Sequence, residues 1–266
     1  MNDRAATGLS PYVRREVDGR GVVTLTLEQP QSFNALSEGM LAALQAELDA
    51  IAGDDSVRVV VVAAAGKAFC AGHDLKEMRA EPSQAYYERL FAQCARMMLT
   101  IQRLPVPVIA RVQGIATAAG CQLVAACDLA VAVDSARFAV SGVNLGLFCS
   151  SPSVALSRNL GRKAAFEMLV TGDFISAEEA RAKGLVNRVV AADALDAEIE
   201  SIAAAIVGKP RIAIALGKQL FYRQLETGTE AAYEDAGRTM ACNMMDPATL
   251  EGVQAFIDKR KPDWPT

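Results

Sequence analysis

Short, almost wholly apolar runs, separated by segments with helical periodicity, limit the folds open to this chain. Val57–Ala65, Val108–Val112 and Leu129–Val133 lack the in–out alternation of a half-exposed strand. A run of this length without alternation is a strand buried on both faces, as in a parallel sheet covered by helices. Val22–Leu27, with Gly19 and Gly21 as turn signals before it, reads as a further strand. Between the first two strands, Leu41, Leu44, Leu48 and Ile51 recur at helical spacing behind Ser37, a plausible N-cap. Tyr87, Leu90, Phe91, Cys94, Met97, Met98 and Ile101 mark one face of a second helix, which Pro105 and Pro107 end. Strand, helix and strand in alternation imply parallel crossovers and an α/β class.

Later in the chain Ser176–Glu179 forms a capping box for a short helix that stops at Gly184, and Asn187–Val190 reads as a short strand. From residue 193 only helices are expected, at 194–207, 211–224, 229–245 and 248–259, broken by Gly208, Pro210, Gly228 and Pro247. The expected organisation is therefore a core over residues 1–192 and a helical region over 193–266.

Composition excludes several function classes. Apolar residues make up 52% and charged residues 22% of 266, which a folded globular chain requires and a disordered one lacks. The net charge is −4 and no basic stripe occurs, so nucleic acid is not an expected partner. Residues 1–10 are polar and small, without the apolar stretch of a secretory signal, and Val59–Ala65 falls far short of the ~20 residues that span a bilayer. No membrane association and a cytoplasmic location are the expectations. The six cysteines form no CxxC pair and read as reduced thiols. His73 is the only histidine; with Cys70 it gives two potential ligands, which do not make a metal site, and no metal is expected.

Two segments carry the chemistry. Lys67–Glu77 follows the strand ending near Ala65, where ligands of open α/β sheets bind, and Gly72 permits a turn that other residues would resist. Gln113–Asp128 follows the next strand, and Ala116, Ala118, Ala119 and Gly120 allow close approach to a helix start. A helix start offers free N–H donors and a positive dipole end, and donors from two strand ends can form an oxyanion hole. Tight helix–sheet packing explains the same small residues. Asp74 and Asp128, at strand–helix junctions, read as caps.

In this order and spacing the two segments resemble the crotonase, or enoyl-CoA hydratase/isomerase, superfamily. The resemblance continues through Ala136–Phe138, Gly146–Leu147, Thr171–Ala180, Gly184–Val186 and Glu251–Lys261, and so runs from about Val22 to Lys261. Gly72–Glu77, Ala118–Leu123 and Gly142–Ser150 are similar to its subgroup called enoyl-CoA hydratase domain-containing protein 3. The resemblance implies a spiral of β-β-α repeats with a C-terminal helical trimerisation region, assembled as a homo-trimer or homo-hexamer. It implies an acyl-CoA thioester substrate and no separate cofactor, coenzyme A being carried by the substrate. By position it makes the His73 and Ala119 N–H groups the oxyanion donors. Ala71, His73, Leu75 and Lys76 would meet the CoA, and Phe256 and Lys259 would reach it from the tail, often across a subunit boundary. A solvated helix face is the competing explanation of Lys259.

The pattern then breaks. Hydration of an enoyl thioester uses two carboxylates flanking a water. At the family's two glutamate positions this chain has Gln122 and Gly142. Gln122 can hold a water but not deprotonate it, and Gly142 can only make space. Asn144 and Ser150 occupy other acid positions, and Cys149 has no second histidine to activate it as a nucleophile. The sequence therefore points to a lyase- or isomerase-like thioester enzyme that stabilises an enolate, with hydratase activity weak or absent. A non-catalytic acyl-CoA-binding protein is the alternative, and RNA binding, known for some family members, sits poorly with the net charge.

Overall fold

The computed structural model describes residues 5–264. Of the polar N-terminal stretch 1–10, the first four residues lie outside the described residues. The chain opens with β1 (Ala5–Leu9), β2 (Val13–Val17) and β3 (Val22–Leu27), and then α1 (Glu38–Ala52), whose N-cap Ser37 accepts from the Met40 N–H as expected. Next come β4 (Val59–Ala64), β5 (Ala68–Cys70), α2 (Leu75–Ala80) and α3 (Gln84–Arg103). The middle of the chain holds β6 (Val108–Val112), β7 (Ile115–Thr117), α4 (Ala119–Ala126), β8 (Leu129–Val133) and β9 (Arg137–Ala139). They are followed by α5 (Ser150–Asn159), α6 (Arg162–Thr171), β10 (Ile175–Ser176), α7 (Ala177–Lys183) and β11 (Arg188–Val190). The chain finishes in helices α8 (Leu195–Val207), α9 (Arg211–Gln224), α10 (Thr229–Met244) and α11 (Pro247–Ile257).

The strands form two sheets. The larger has the order β1-β2-β3-β4-β6-β8-β11, antiparallel through β1–β3 and parallel thereafter. The smaller has the order β10-β9-β7-β5, with β5, β7 and β9 parallel. The chain alternates between them: β4, β6 and β8 lie in the large sheet, and each is followed at once by β5, β7 or β9 in the small one, then by helix. This is a spiral of β-β-α turns. The small sheet is the part that periodicity could not reveal, because its strands are two or three residues long.

Every residue of β3 and β4 is buried, the two-sided burial that the unbroken apolar runs imply. α1 buries Leu41, Leu44, Leu48 and Ile51, and α3 buries Leu90, Cys94, Met97, Met98 and Ile101, on the faces read from their spacing. The Ser176 capping box is formed, and Gly184 ends α7 in the left-handed conformation at φ 92°. α8 contributes Leu195, Ile199, Ile202 and Ala203 to the same core cluster.

The reading of Asp128 as a cap is corrected by the fold. Its carboxylate accepts from the Val108 N–H at 2.7 Å, from Lys218 Nζ at 2.6 Å and from the Tyr222 hydroxyl at 2.8 Å. Lys218 also donates to the Ile101 and Val106 carbonyls at 2.9 Å each. Asp128 thus ties α9 to the first residue of β6. Its partners lie 90 and 94 residues away, which is why local sequence could not reveal the role.

Candidate active site

Three adjacent parallel strands of the small sheet end side by side, and the segments just beyond their ends build one cavity. Ala71–Asp74 come after β5, Ala118 and α4 after β7, and a short 3-10 turn, Ser141–Leu145, after β9. Ligand sites outside the carboxyl ends of parallel strands have this arrangement. The sequence placed Lys67–Glu77 directly beyond the large-sheet strand; in fact β5 intervenes, and the site belongs to the small sheet.

The cavity measures about 250 Å³. Its lining includes Ala71, His73, Leu75 and Ala119, so four of the sequence-predicted residues meet in one place. Met78, Phe91, Leu145, Leu147 and Phe148 give it an apolar wall, and Ser141, Cys149, Ser150 and Ser151 give it small polar groups. No Asp or Glu lines it among the described residues. A larger cavity of about 370 Å³ lies between the large sheet and α8, but it is lined by paired charges such as Arg111 and Asp196, 2.6 Å apart, and by none of the predicted site residues.

Glycine and strain bring the two rims together. Gly72 has φ +88°, and a Cβ there would stand 2.9 Å from the Ala118 Cβ and 3.1 Å from the Ala119 nitrogen. Any side chain at this position would therefore push the β5 rim off the start of α4. Ala118 has φ 51° and ψ −123°, a conformation that L residues resist and that costs roughly 1–3 kcal/mol. Its N–H donates to the Ala139 carbonyl at 3.0 Å, which fixes the peptide entering α4. Neither the His73 nor the Ala119 N–H donates to another group among the described residues. A Cβ on Gly120 would lie 2.1 Å from the Cys70 carbonyl oxygen, so α4 also sits hard against β5.

The loop before α1 holds the first rim from behind. Ala71 N–H donates to the Phe33 carbonyl at 3.0 Å, and Leu36 N–H to the Gly72 carbonyl at 2.7 Å. Asn34, fully buried, donates to the Ala65 and Ala68 carbonyls at 2.9 Å and accepts from the Gln29 N–H at 2.9 Å. Sequence reasoning missed Asn34. Its signal was the residue type itself, since Asn tolerates the left-handed conformation it adopts at φ 54°. The Thr117–Ser141 hydroxyl pair, 2.9 Å apart, was also missed.

The titratable groups at the cavity are neutral at physiological pH. Burial lowers the His73 pKa below its usual 6.5, partly opposed by the Leu36 carbonyl. Burial raises the Cys149 pKa above 9.0, partly opposed by the Gly142 backbone, so Cys149 is not an activated thiolate. Gln122 lies three residues into α4 from Ala119 and is only 4% exposed. Its Oε1 has no hydrogen-bond donor among the described residues. A buried acceptor left in that state costs about 1–3 kcal/mol, but Gln122, predicted as a site residue, is not among those that line the cavity.

Other predicted positions fall elsewhere. Lys76 is exposed on α2 and does not line the cavity. Phe256, 85% exposed, and Lys259, with φ 54°, lie at the end of α11, away from the cavity within the single chain. Gly142 does not make space. A Cβ there would meet the Leu147 carbonyl oxygen at 2.5 Å and Cys149 Sγ at 2.7 Å, so the room a glutamate would need is filled by this chain's own loop. Asp74 is the cap it was read as, accepting from the Lys76 and Glu77 N–H groups. Among the described residues no group of three or more His, Cys, Asp and Glu could hold a metal ion.

Comparison with known proteins agrees with this geometry. The profile of the enoyl-CoA hydratase/isomerase family matches residues 18–266. Enoyl-CoA hydratase domain-containing protein 3, mitochondrial, from Xenopus laevis is 47% identical over 92% of this chain and 83% of that protein. Its human counterpart is 44% identical over 96% of the chain and 83% of that protein. Among solved structures, an enoyl-CoA hydratase from Mycobacterium smegmatis is 70% identical, covering 97% of this chain and 100% of its own, with a TM-score of 0.95. The human domain-containing protein 3 is 42% identical over 98% and 99% of the two chains, with a TM-score of 0.90. The expected cytoplasmic location is corrected by these relatives: the curated proteins from frog, mouse and human that match most of the chain carry mitochondrial names, and the absence of an apolar signal in residues 1–10 could not speak to that. The two-sheet spiral, the paired rims beyond β5 and β7, and these likenesses lead to one conclusion: the chain belongs to the enoyl-CoA hydratase/isomerase family.

Proposed function

We propose that this protein is an enzyme that binds an acyl-CoA thioester and stabilises its enolate, holding the thioester oxygen between the His73 and Ala119 N–H groups. The observation that supports this reading is the close approach of Gly72 to the start of α4, with His73 and Ala119 both among the residues that line one cavity. Fixed N–H donors aimed at a growing negative charge need no reorganisation when the charge forms, and one such donor is worth roughly 10²–10³-fold in rate. The apolar wall of Leu145, Leu147 and Phe148 suits an acyl chain, and Ala71 and Leu75 suit the approach of the CoA arm.

Hydration is weak or absent in this reading. No carboxylate lines the cavity, Gln122 does not line it either, and an amide cannot deprotonate a water. Binding without turnover is the second reading, favoured by the same absence of ionised groups. Phe256 and Lys259 act from a neighbouring subunit, with Lys259 on a CoA phosphate. The assembly is a trimer or hexamer built through the region 193–266: no residue of α10 is fully buried within the chain, while Phe221, Leu225, Tyr233, Met240, Met245 and Phe256 are exposed.

The test is crotonyl-CoA. Saturable binding is expected, with loss of conjugated-thioester absorbance at least ~10²-fold below the ordinary enzyme range of ~1–10³ s⁻¹. The Gln122→Glu variant is the informative partner, because the packing around Gly142 rules out a glutamate there without moving the Leu147 loop. Turnover by the unaltered protein within the ordinary range overturns the weak-hydratase reading. Failure to bind any CoA thioester overturns the acyl-CoA reading itself.

A further inference from the structure

We infer that the side chain of His73, and not only its backbone, is the proton acceptor and donor of this site: its Nε2 takes a proton from the α-carbon of the bound thioester. The inference rests on the acyl-CoA reading of the same cavity.

Three observations support it. His73 Nδ1 lies 3.3 Å from the Leu36 carbonyl oxygen. A carbonyl only accepts, so Nδ1 carries the hydrogen and Nε2 keeps its lone pair. Leu36 is itself fixed, because its N–H donates to the Gly72 carbonyl at 2.7 Å, so the tautomer is built into the rim that presents the oxyanion donor. Second, the ring packs edge-on against Phe91, 5.5 Å between centroids, and both residues line the cavity. Nε2 has no hydrogen-bond partner among the described residues, and it is not among the buried atoms left without one. Third, the cavity offers no competing base. Its only other titratable group is Cys149, held as a thiol.

The surroundings leave the imidazole neutral and able to accept. α3 presents Phe91, the loop before α1 presents the Leu36 carbonyl, and α5 begins beside Cys149. The charged groups on the packed elements are engaged or exposed. Asp74 accepts from the Lys76 and Glu77 N–H groups, Glu77 accepts from the Glu38 N–H at 3.0 Å, and Lys76 and Glu38 face solvent. The proton balance closes without another reagent. The Cα–H bond breaks, its proton goes to Nε2, and its electron pair moves through the new C=C bond onto the thioester oxygen, which the two N–H groups hold. The imidazolium then returns a proton to the enolate carbon.

The measurement is hydrogen–deuterium exchange at the α-carbon of butyryl-CoA in deuterated buffer, followed by mass spectrometry, beside butyryl-CoA affinity by calorimetry. The unaltered protein is expected to bind and to exchange. His73→Gln keeps the backbone N–H and is expected, at saturating butyryl-CoA, to exchange at least ~10²-fold more slowly. Exchange by the unaltered protein is expected to be flat above pH 6.5 and to fall as the imidazole protonates below it. The single histidine gives an independent readout in the intact protein, whose ring nitrogen resonances should report hydrogen on Nδ1 and a shift at Nε2 on binding. Binding without exchange overturns the inference and leaves the acyl-CoA reading standing. So does exchange that His73→Gln does not slow, or, should that variant fail to fold, exchange by the unaltered protein that does not fall below pH 6.5. No binding at all overturns both.

Discussion

At the scale of single residues, the site depends on positions where a side chain is missing or a backbone is strained. Gly72 combines φ +88° with a Cβ position 2.9 Å from the Ala118 Cβ. Gly72→Ala is expected to destabilise the protein by roughly 1–3 kcal/mol in urea unfolding and to weaken butyryl-CoA binding, because the rims must part. Gly146→Ala is the control: it shares a positive φ of +78° but would meet nothing within 4 Å, and is expected to cost about 1 kcal/mol without affecting binding. His73 gives a residue-scale pH effect. Its folded pKa lies below the usual 6.5, so the unfolded chain binds more protons in that interval and stability falls as pH drops through it. Thermal unfolding should show a shallow loss of stability just below pH 6.5 that His73→Gln removes. A second loss should follow as pH falls below about 4.5, where two carboxylates begin to protonate in the unfolded chain: Asp18, which burial raises but the Val22 and Arg20 hydrogen bonds together bring low, and Glu251, held low by Arg260 and the Asp263 N–H.

Of the ion pairs that join one element to another, the most buried ties α9 to the sheet. Lys218 and Asp128 are 2.6 Å apart with side chains 6% and 13% exposed, and every nearby donor finds an acceptor. Removing one partner strands the other charge. Asp128→Ala or Lys218→Ala should lower stability by about 3–5 kcal/mol, whereas Lys218→Met with Asp128→Leu together should cost less than either alone. A double-mutant cycle in guanidinium checks this. The surface pairs, such as Arg89–Glu81 at 3.3 Å with both side chains about 60% exposed, should each contribute ~1 kcal/mol or less.

For the molecule as a whole, the later helices carry many exposed apolar side chains, among them Phe221, Leu225, Tyr233, Met240 and Phe256. α10 has no buried residue, and Tyr233, Met240 and Met245 are each about 70% exposed or more. A monomer would leave these in water, at about 25 cal/mol for each Å² of apolar surface that a partner could cover. Sedimentation should show a trimer or hexamer whose midpoint of thermal unfolding rises with protein concentration. Met240→Glu together with Tyr233→Glu should yield a smaller species, with secondary structure kept.

Features set by neighbours along the chain were legible in residue order alone. The apolar runs gave β3, β4, β6 and β8, the helical spacing gave the buried faces of α1 and α3, and the Ser37, Asp74 and Ser176 caps fixed where helices begin. The position of Lys67–Glu77 and Gln113–Asp128 after their strands located the two rims, and the residues that the family resemblance picked out there, Ala71, His73, Leu75 and Ala119, line one cavity. The rest was fixed by packing in three dimensions. The strands of the small sheet are too short to show a period, Asp128 meets its partners some 90 residues away, and the space at Gly142 is filled by Leu147 and Cys149 from a loop whose path no local rule fixes. The tautomer of His73 belongs to the same class: the Leu36 carbonyl that sets it stands 37 residues away in the chain and reaches the ring only because the loop before α1 folds back under the rim. Local propensity and burial period act over a few residues, whereas these contacts exist only once distant segments have packed.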